Sequence, residues 1–187
     1  LLSTANFNAI LKKYLSTKRL EHSHRVANLA KYIAKKNSLD WHLAYTAGLL
    51  HDIARDMDKK ELIYLAKKYQ LYHYPMDIDI PILLHSYVGA WLTENKLGIT
   101  DETILEAIRF HTLGSPKMGS ISMVVYISDI LEPERNIDGS NELIELALSN
   151  LDKAMLYCLN STLKYLMDTE EIIHPLTVET RNHYLNR

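Results

Sequence analysis

The chain has 187 residues, 47% of them hydrophobic and 24% charged, enough to bury a sizeable core. Six glycines and five prolines exclude collagen-like or low-complexity disorder, and a net charge of −2 gives no reason to expect a nucleic-acid binder. The single cysteine, Cys158, excludes an internal disulfide, fits a reducing cytoplasm, and sits with Ala154 and Met155 on an apolar face.

The first residues, LLSTANFNAILKKYL, lack the charged start, apolar run and cleavage site of a signal peptide. The longest apolar stretch, Ile121 to Leu131, is broken by Ser122, Ser128 and Asp129 and is too short to span a bilayer. The expectation is a cytoplasmic protein with no membrane partner.

Helical periodicity runs nearly throughout. Asn6–Leu15 and Lys18–Lys36 are the first predicted helices. Asp40 is the N-cap of a helix predicted through Ile53, and Asp58 with Glu61 opens one to Tyr69. Residues 70–80 read as a loop. Ile82–Lys96 is helical and stops at Gly98; Thr100 and Asp101 open the next helix, which ends near Thr112. A loop with Gly114, Pro116 and Gly119 precedes Ser120–Leu131. Residues 132–140 form a second loop, 141–167 one helix or two, and Pro175 with Thr177 starts a last short helix. The fold class is all-α, a helical bundle of about eight to ten helices in one domain over 1–187. An N-terminal helix occupies 1–17, a core 18–135, and C-terminal helices 136–187, whose apolar faces offer a homodimer surface.

Nine histidines are more than this length needs. His22 precedes Val26, Leu29 and Ile33 on one stripe. His51 shares a face with Ala44, Ala47 and Ala54, and Asp52 follows about 100° around the helix. His85 lies between Ile82 and Gly89, His111 extends Ile104, Ala107 and Ile108, and Asp129 lies a turn after Val125. Any one of these could be a satisfied core residue. Together they put four imidazoles and two carboxylates on apolar faces, which is costly without a partner. A metal removes that cost, and the donors suit Fe, Mn, Co or Zn. His24, His42, His73, His174 and His183 fall off these stripes and read as surface or packing residues.

The ordered set His22, His51-Asp52, His85, His111, Asp129 resembles the HD-domain metal-dependent phosphohydrolases. RLEHSHRV (19–26), LLHDIARDM (49–57), LLHSYVGA (83–90), IRFHTLGSP (108–116), YISDILEPER (126–135) and IHPLTVETRN (173–182) are similar to the YqeK family of HD proteins over about residues 15–185. The chain departs from that pattern at Arg55, where a lysine is usual, at Glu134 (a glycine) and at Ser115 (an arginine). The resemblance implies two divalent ions, iron first among them. His22, His51, Asp52 and Asp129 would hold one, and His85, His111 and a bridging Asp52 the other. It also implies symmetrical hydrolysis of diadenosine tetraphosphate to two ADP by a metal-bridged hydroxide, held at His51 and Asp52 as the catalytic pair.

Such chemistry needs groups for the remaining phosphates. Arg19 and Arg25 each lie three residues from His22, Arg55 lies a turn beyond the HD pair, and Arg135 follows Asp129 in a loop. Ser86 and Thr112, each beside a histidine, could donate to a phosphate or cap their own helices. Arg19, Arg25 and Arg135 are the preferred grips; Arg109 and Lys117 lie farther round. The alternatives are an HD-type nucleotidase or phosphodiesterase on another nucleotide, and a nucleotide-binding HD module without turnover.

Overall fold

The computed structural model describes residues 4–135 and 139–185, so residues 136–138 of the expected 132–140 loop lie outside the described residues. Ten α-helices lie among the described residues: α1 (Thr4–Leu11), α2 (Thr17–Lys36), α3 (Trp41–Leu50), α4 (Lys59–Tyr69), α5 (Leu84–Leu97), α6 (Glu102–Phe110), α7 (Ser120–Ile130), α8 (Ser140–Ser149), α9 (Leu151–Asp168) and α10 (Pro175–Leu185). Short 3₁₀ turns lie at Pro75–Ile78, Pro81–Leu83 and Pro133–Arg135, and there is no strand among the described residues.

Short polar side chains set several helix starts. Ser16 accepts from Arg19 N–H before α2, Asp40 from His42 and Leu43 before α3, Asp58 from Lys60 before α4, and Asp101 from Thr103 and Ile104 before α6. Each satisfies amide donors that the first helical turn leaves open. Gly98 closes α5 in the left-handed conformation, with φ of 69°.

Two boundaries differ from expectation, and the sequence leaves the 141–167 stretch open as one helix or two. The first helix spans Thr4–Leu11, and turns fill the stretch to Leu15. The third ends at Leu50, not Ile53, because the His51 ring takes the Gly48 carbonyl at 2.7 Å. A continuing α-helix would give that carbonyl to Asp52 N–H. The backbone instead tightens into three-residue turns, Ile53 N–H to Leu50, Arg55 to Asp52 and Met57 to Ala54. The 141–167 stretch is two helices. Asn150 is extended between them; its N–H bonds to Leu146 and its side chain caps α9 at Lys153.

The α3 helix lies against α2, α6 and α7; α5 packs on α4 and α6; α9 covers α7, with α8 and α10 on its flanks. The α2–α3 crossing is close. A Cβ on Gly48 would stand 3.0 Å from Ala27 Cα, so only glycine lets the two backbones approach this far. Val26, Ala27, Ala30, Leu49, Leu50, Ile108 and Val125 are fully buried there. This packing points the His- and Asp-bearing faces of α2, α3, α5, α6 and α7 at one another. No helix among the described residues is long and apolar enough to cross a membrane.

Candidate metal centre

The six side chains singled out in the sequence meet at one point. His22 sits on the buried face of α2 in its second turn, His51 and Asp52 in the turn that ends α3, His85 in the first turn of α5, His111 at the end of α6, and Asp129 in the last turn of α7. Asp52 lies between the histidines. Its Oδ1 is 3.2 Å from His85 Nε2 and 3.6 Å from His111 Nε2. Its Oδ2 is 3.3 Å from His51 Nε2 and 3.7 Å from His22 Nε2. Asp129 Oδ1 is 3.1 Å from His22 Nε2 and 3.8 Å from His51 Nε2.

The ring orientations fix what these nitrogens can do. The Nδ1 atoms of His51 and His111 each contact the carbonyl three residues back, Gly48 and Ile108, at 2.7 Å, and His85 Nδ1 contacts Ile82 O in the same way. A carbonyl only accepts, so each Nδ1 carries a hydrogen, and each ring in its neutral form turns an Nε2 lone pair inward. Those of His85 and His111 stand 3.0 Å apart. The Nε2 atoms of His22 and His51 are buried without a hydrogen bond. Lone pairs facing lone pairs and carboxylates call for positive charge between them.

The electrostatics agree. Burial disfavours a charged His51 ring, yet the Asp52 and Asp129 carboxylates outweigh it and raise its pKa. Burial also pushes the Asp52 carboxyl up, but the His51, His111 and His85 rings gathered around it hold it well below the usual carboxylate range. Asp129 is likewise held down against its burial by His22 and Arg135. Burial, reinforced by neighbouring His51 and His85, takes His111 down to about 4, so that ring is neutral and fit to ligate at pH 7.

Two groups have ligand atoms all within 4.8 Å of one another: His22, His51 and Asp129, and His51, Asp52 and His111. Imidazole and carboxylate donors in a buried cluster fit a divalent ion of borderline hardness. The cluster forms the floor of a cavity of about 550 Å³ lined also by Lys18, Arg19, Arg25, Arg55, Thr112 and Arg135.

The expected substrate residues divide. Arg19 Nη1 lies 2.9 Å from Asp52 Oδ2, Arg135 Nη2 lies 2.7 Å from Asp129 Oδ1, and Arg25 spans Glu132 at 2.7 Å and Glu134 at 2.9 Å. The three preferred arginines are thus held by carboxylates. Arg55 lines the same cavity with no carboxylate in salt-bridge range among the described residues, and burial lowers its pKa. Thr112 Oγ1 lies 3.2 Å from His111 Nε2, at the cavity wall. Ser86 is buried, donates to Leu83 O, and is not among the lining residues; it closes its own helix turn. Arg109 pairs with Glu102 and also stands outside the lining.

Sequence reasoning missed Glu132, Tyr126 and Thr162, all of which line the cavity. Tyr126 precedes Asp129 by three residues on α7, a spacing that could have found it. Glu132 has no helical face to betray it. Of the remaining histidines, His174 is buried and gives Asp77 a 2.7 Å hydrogen bond, so it belongs to an interior pair outside the cluster.

An all-helical fold around an interior knot of imidazoles and carboxylates, open to one polar cavity, defines a class of metal-binding hydrolases. An HD-domain family model matches residues 19–171. The symmetrical bis(5′-nucleosyl)-tetraphosphatase of Bacillus subtilis is 33% identical over 174 residues, covering 93% of each chain. That of Staphylococcus aureus is 30% identical over 177 residues, covering 94% of this chain and 91% of its own. A Mycoplasma genitalium protein named probable nicotinate-nucleotide adenylyltransferase/Ap4A hydrolase is 36% identical over 165 residues, covering 84% of this chain and 45% of its own. Among solved structures, a predicted HD superfamily hydrolase involved in NAD metabolism from Clostridium acetobutylicum superposes with a TM-score of 0.94 at 33% identity, over 100% of this chain and 99% of that one. The chain belongs to the HD-domain family, in its YqeK branch, and is a hydrolase.

Proposed function

We propose that the chain hydrolyses diadenosine tetraphosphate at its centre to give two ADP. It would use two divalent ions, iron as the proposed pair, with Mn, Co or Zn able to use the same donors. His22, His51, Asp52 and Asp129 would hold one ion, and His85, His111 and the second oxygen of Asp52 the other. The observation that carries this is the placement of Asp52, whose two oxygens face separate histidine pairs. When bound, the ions supply Lewis acidity for water and for the attacked phosphoryl group.

The chain's own residues do the rest. Arg55 has its guanidinium available for a phosphate oxygen, and Thr112 can donate a hydroxyl hydrogen beside it. Lys18 adds charge at the wall. Arg19 and Arg135 neutralise the outer sides of Asp52 and Asp129 and keep those carboxylates ionised. Water oxygen bonds to one central phosphorus and the bridging P–O bond breaks. Its electron pair leaves with ADP, a stable anion at neutral pH, so no side chain is needed as an acid. A reducing cytoplasm suits a chain whose one cysteine, Cys158, is buried.

The test is to incubate metal-replete protein with diadenosine tetraphosphate and to chromatograph the products beside a His51→Ala control. ADP alone, lost in the control, is expected. AMP with ATP would overturn the symmetric cut. A second reading, another nucleotide as substrate, is favoured by the NAD-metabolism description of the Clostridium relative. Absence of turnover with metal bound, and cleavage of another member of a nucleotide panel, would replace the first reading with this one.

A further inference from the structure

Three of the four clustered histidines are oriented by a backbone carbonyl three residues earlier, and His22 is not. The reason lies in position along the helix. His51 and His111 stand at the ends of α3 and α6, where the last carbonyls lack amide partners, and His85 follows the Pro81–Leu83 turn. His22 lies inside α2, where the carbonyl three residues back is engaged in the helix's own ladder. Its Nδ1 must be oriented by a side chain. The one in place is Glu132, whose Oε1 lies 3.4 Å from His22 Nδ1. Glu132 is itself fixed: its Oε2 accepts from Arg25 Nε at 2.7 Å and from the Glu134 amide at 3.2 Å, and its side chain is 4% exposed.

We infer that Glu132 is a positioning residue for the metal centre. Its carboxylate keeps the hydrogen on His22 Nδ1 and so presents the His22 Nε2 lone pair to the cluster. This rests on the reading that His22 holds a metal, and it assigns Arg25 a task other than gripping phosphate. A second carboxylate, Glu134, balances Arg25 from the outside at 2.9 Å. The arrangement runs Glu134, Arg25, Glu132, His22, and links the stretch after α7 to the N-terminal half of α2. A carboxylate on the far nitrogen also makes the imidazole a better donor than a carbonyl would.

The experiment needs no nucleotide. Zinc, which is diamagnetic, is titrated into wild-type, Glu132→Ala and Glu132→Gln proteins against a chromophoric chelator, and histidine ring ¹⁵N spectra report tautomer and ligation. In the wild type His22 should carry its hydrogen on Nδ1 and bind zinc through Nε2. Glu132→Ala should scramble the His22 tautomer and weaken zinc at the His22 end about 10- to 100-fold, with the His85 and His111 signals unchanged. Glu132→Gln keeps a carbonyl acceptor without the charge, so it should hold the tautomer and lose less affinity.

Wild-type affinity and wild-type His22 signals in both variants would overturn the inference. If Glu132→Ala does not fold, Glu132→Gln decides alone: a weakening confined to the His22 end supports the inference and none overturns it. A wild type whose His22 ring never binds zinc overturns the inference together with the metal reading. Arg25→Gln separates orientation from mere packing, since it leaves the Glu132 carboxylate in place and should keep the His22 tautomer. A scrambled His22 in Arg25→Gln with a normal one in Glu132→Ala would also overturn it.

Discussion

Arg55 differs from the other three arginines of the cavity in having no carboxylate in salt-bridge range among the described residues. Removing it should therefore cost the fold little and the substrate much. Arg55→Ala is expected to raise KM about 10- to 100-fold, from a lost charged hydrogen bond of roughly 1.5–3 kcal/mol. The unfolding midpoint should move by no more than about 0.5 kcal/mol in stability. Steady-state kinetics beside a urea melt check both; an unchanged KM would remove Arg55 from the substrate site. The sequence placed all four arginines near the histidines, because helical spacing is local. It could not tell which were engaged, because the partners Asp52, Asp129 and Glu132 arrive from other elements.

His111 sets a pH window at the same scale. Its folded value is about 4 against about 6.5 for a free imidazole. The unfolded ring binds the proton first as pH falls, so the stability it contributes is full above about 6.5 and declines toward 4. His51 acts in another window: its raised pKa gives stability that is complete below the unfolded value and is lost as pH rises through the folded one. Asp52 and Asp129, held down, lose theirs only below the normal carboxylate range. In chelator-treated protein the His111 share should thus cost roughly 2–3 kcal/mol between pH 7 and 4.5, offset in part by His51, and His111→Asn should remove that share. Equal urea midpoints at the two pH values would contradict this.

At the scale of elements, the α2–α3 crossing connects packing to chemistry. Gly48 lets α2 approach, and its carbonyl receives the His51 ring. Gly48→Ala drives a methyl against the Ala27 backbone and should destabilise by about 1–3 kcal/mol, lowering Tm by about 2–4 °C per kcal/mol. Calorimetry gives the number; a Tm equal to wild type would mean that the crossing relaxes freely. The starts of α3, α4 and α6 were legible because Asp40, Asp58 and Asp101 act on amides two or three residues away. The end of α3 was not, because apolar periodicity continues through Ile53 and Ala54 while a side chain takes the carbonyl. The break at Asn150 was left open for a similar reason: one extended residue interrupts a pattern that is helical on both sides.

Across the whole molecule, the His174–Asp77 pair joins the C-terminal helix to the stretch before α5. Asp77 is fully buried, and its other oxygen accepts from the His73 and Tyr74 amides. His174 Nδ1 takes the Leu176 amide, so its Nε2–H points at Asp77. His174→Ala leaves a buried carboxylate one bond short and should cost about 1–3 kcal/mol. Hydrogen exchange should quicken together in residues 73–84 and in α10; faster exchange in α10 alone would show the two to be independent. No local signal marks this pair, because its members are 97 positions apart. His174 therefore reads in sequence like any terminal histidine. The clustered histidines were legible because each lies on, or just past the end of, its own helix's apolar stripe.

The spread of the cluster along the chain, from His22 to Asp129, also orders events in time. Before the helices pack, the only neighbours in the set are His51 and Asp52. Two adjacent donors hold a divalent ion weakly, so an ion meets the full set only after α2, α3, α5, α6 and α7 have come together. Metal capture would then follow folding instead of guiding it, and the finished cavity would choose among whatever ions surround it. Any metal carried by a purified sample would accordingly be a record of the growth medium as well as of the sequence.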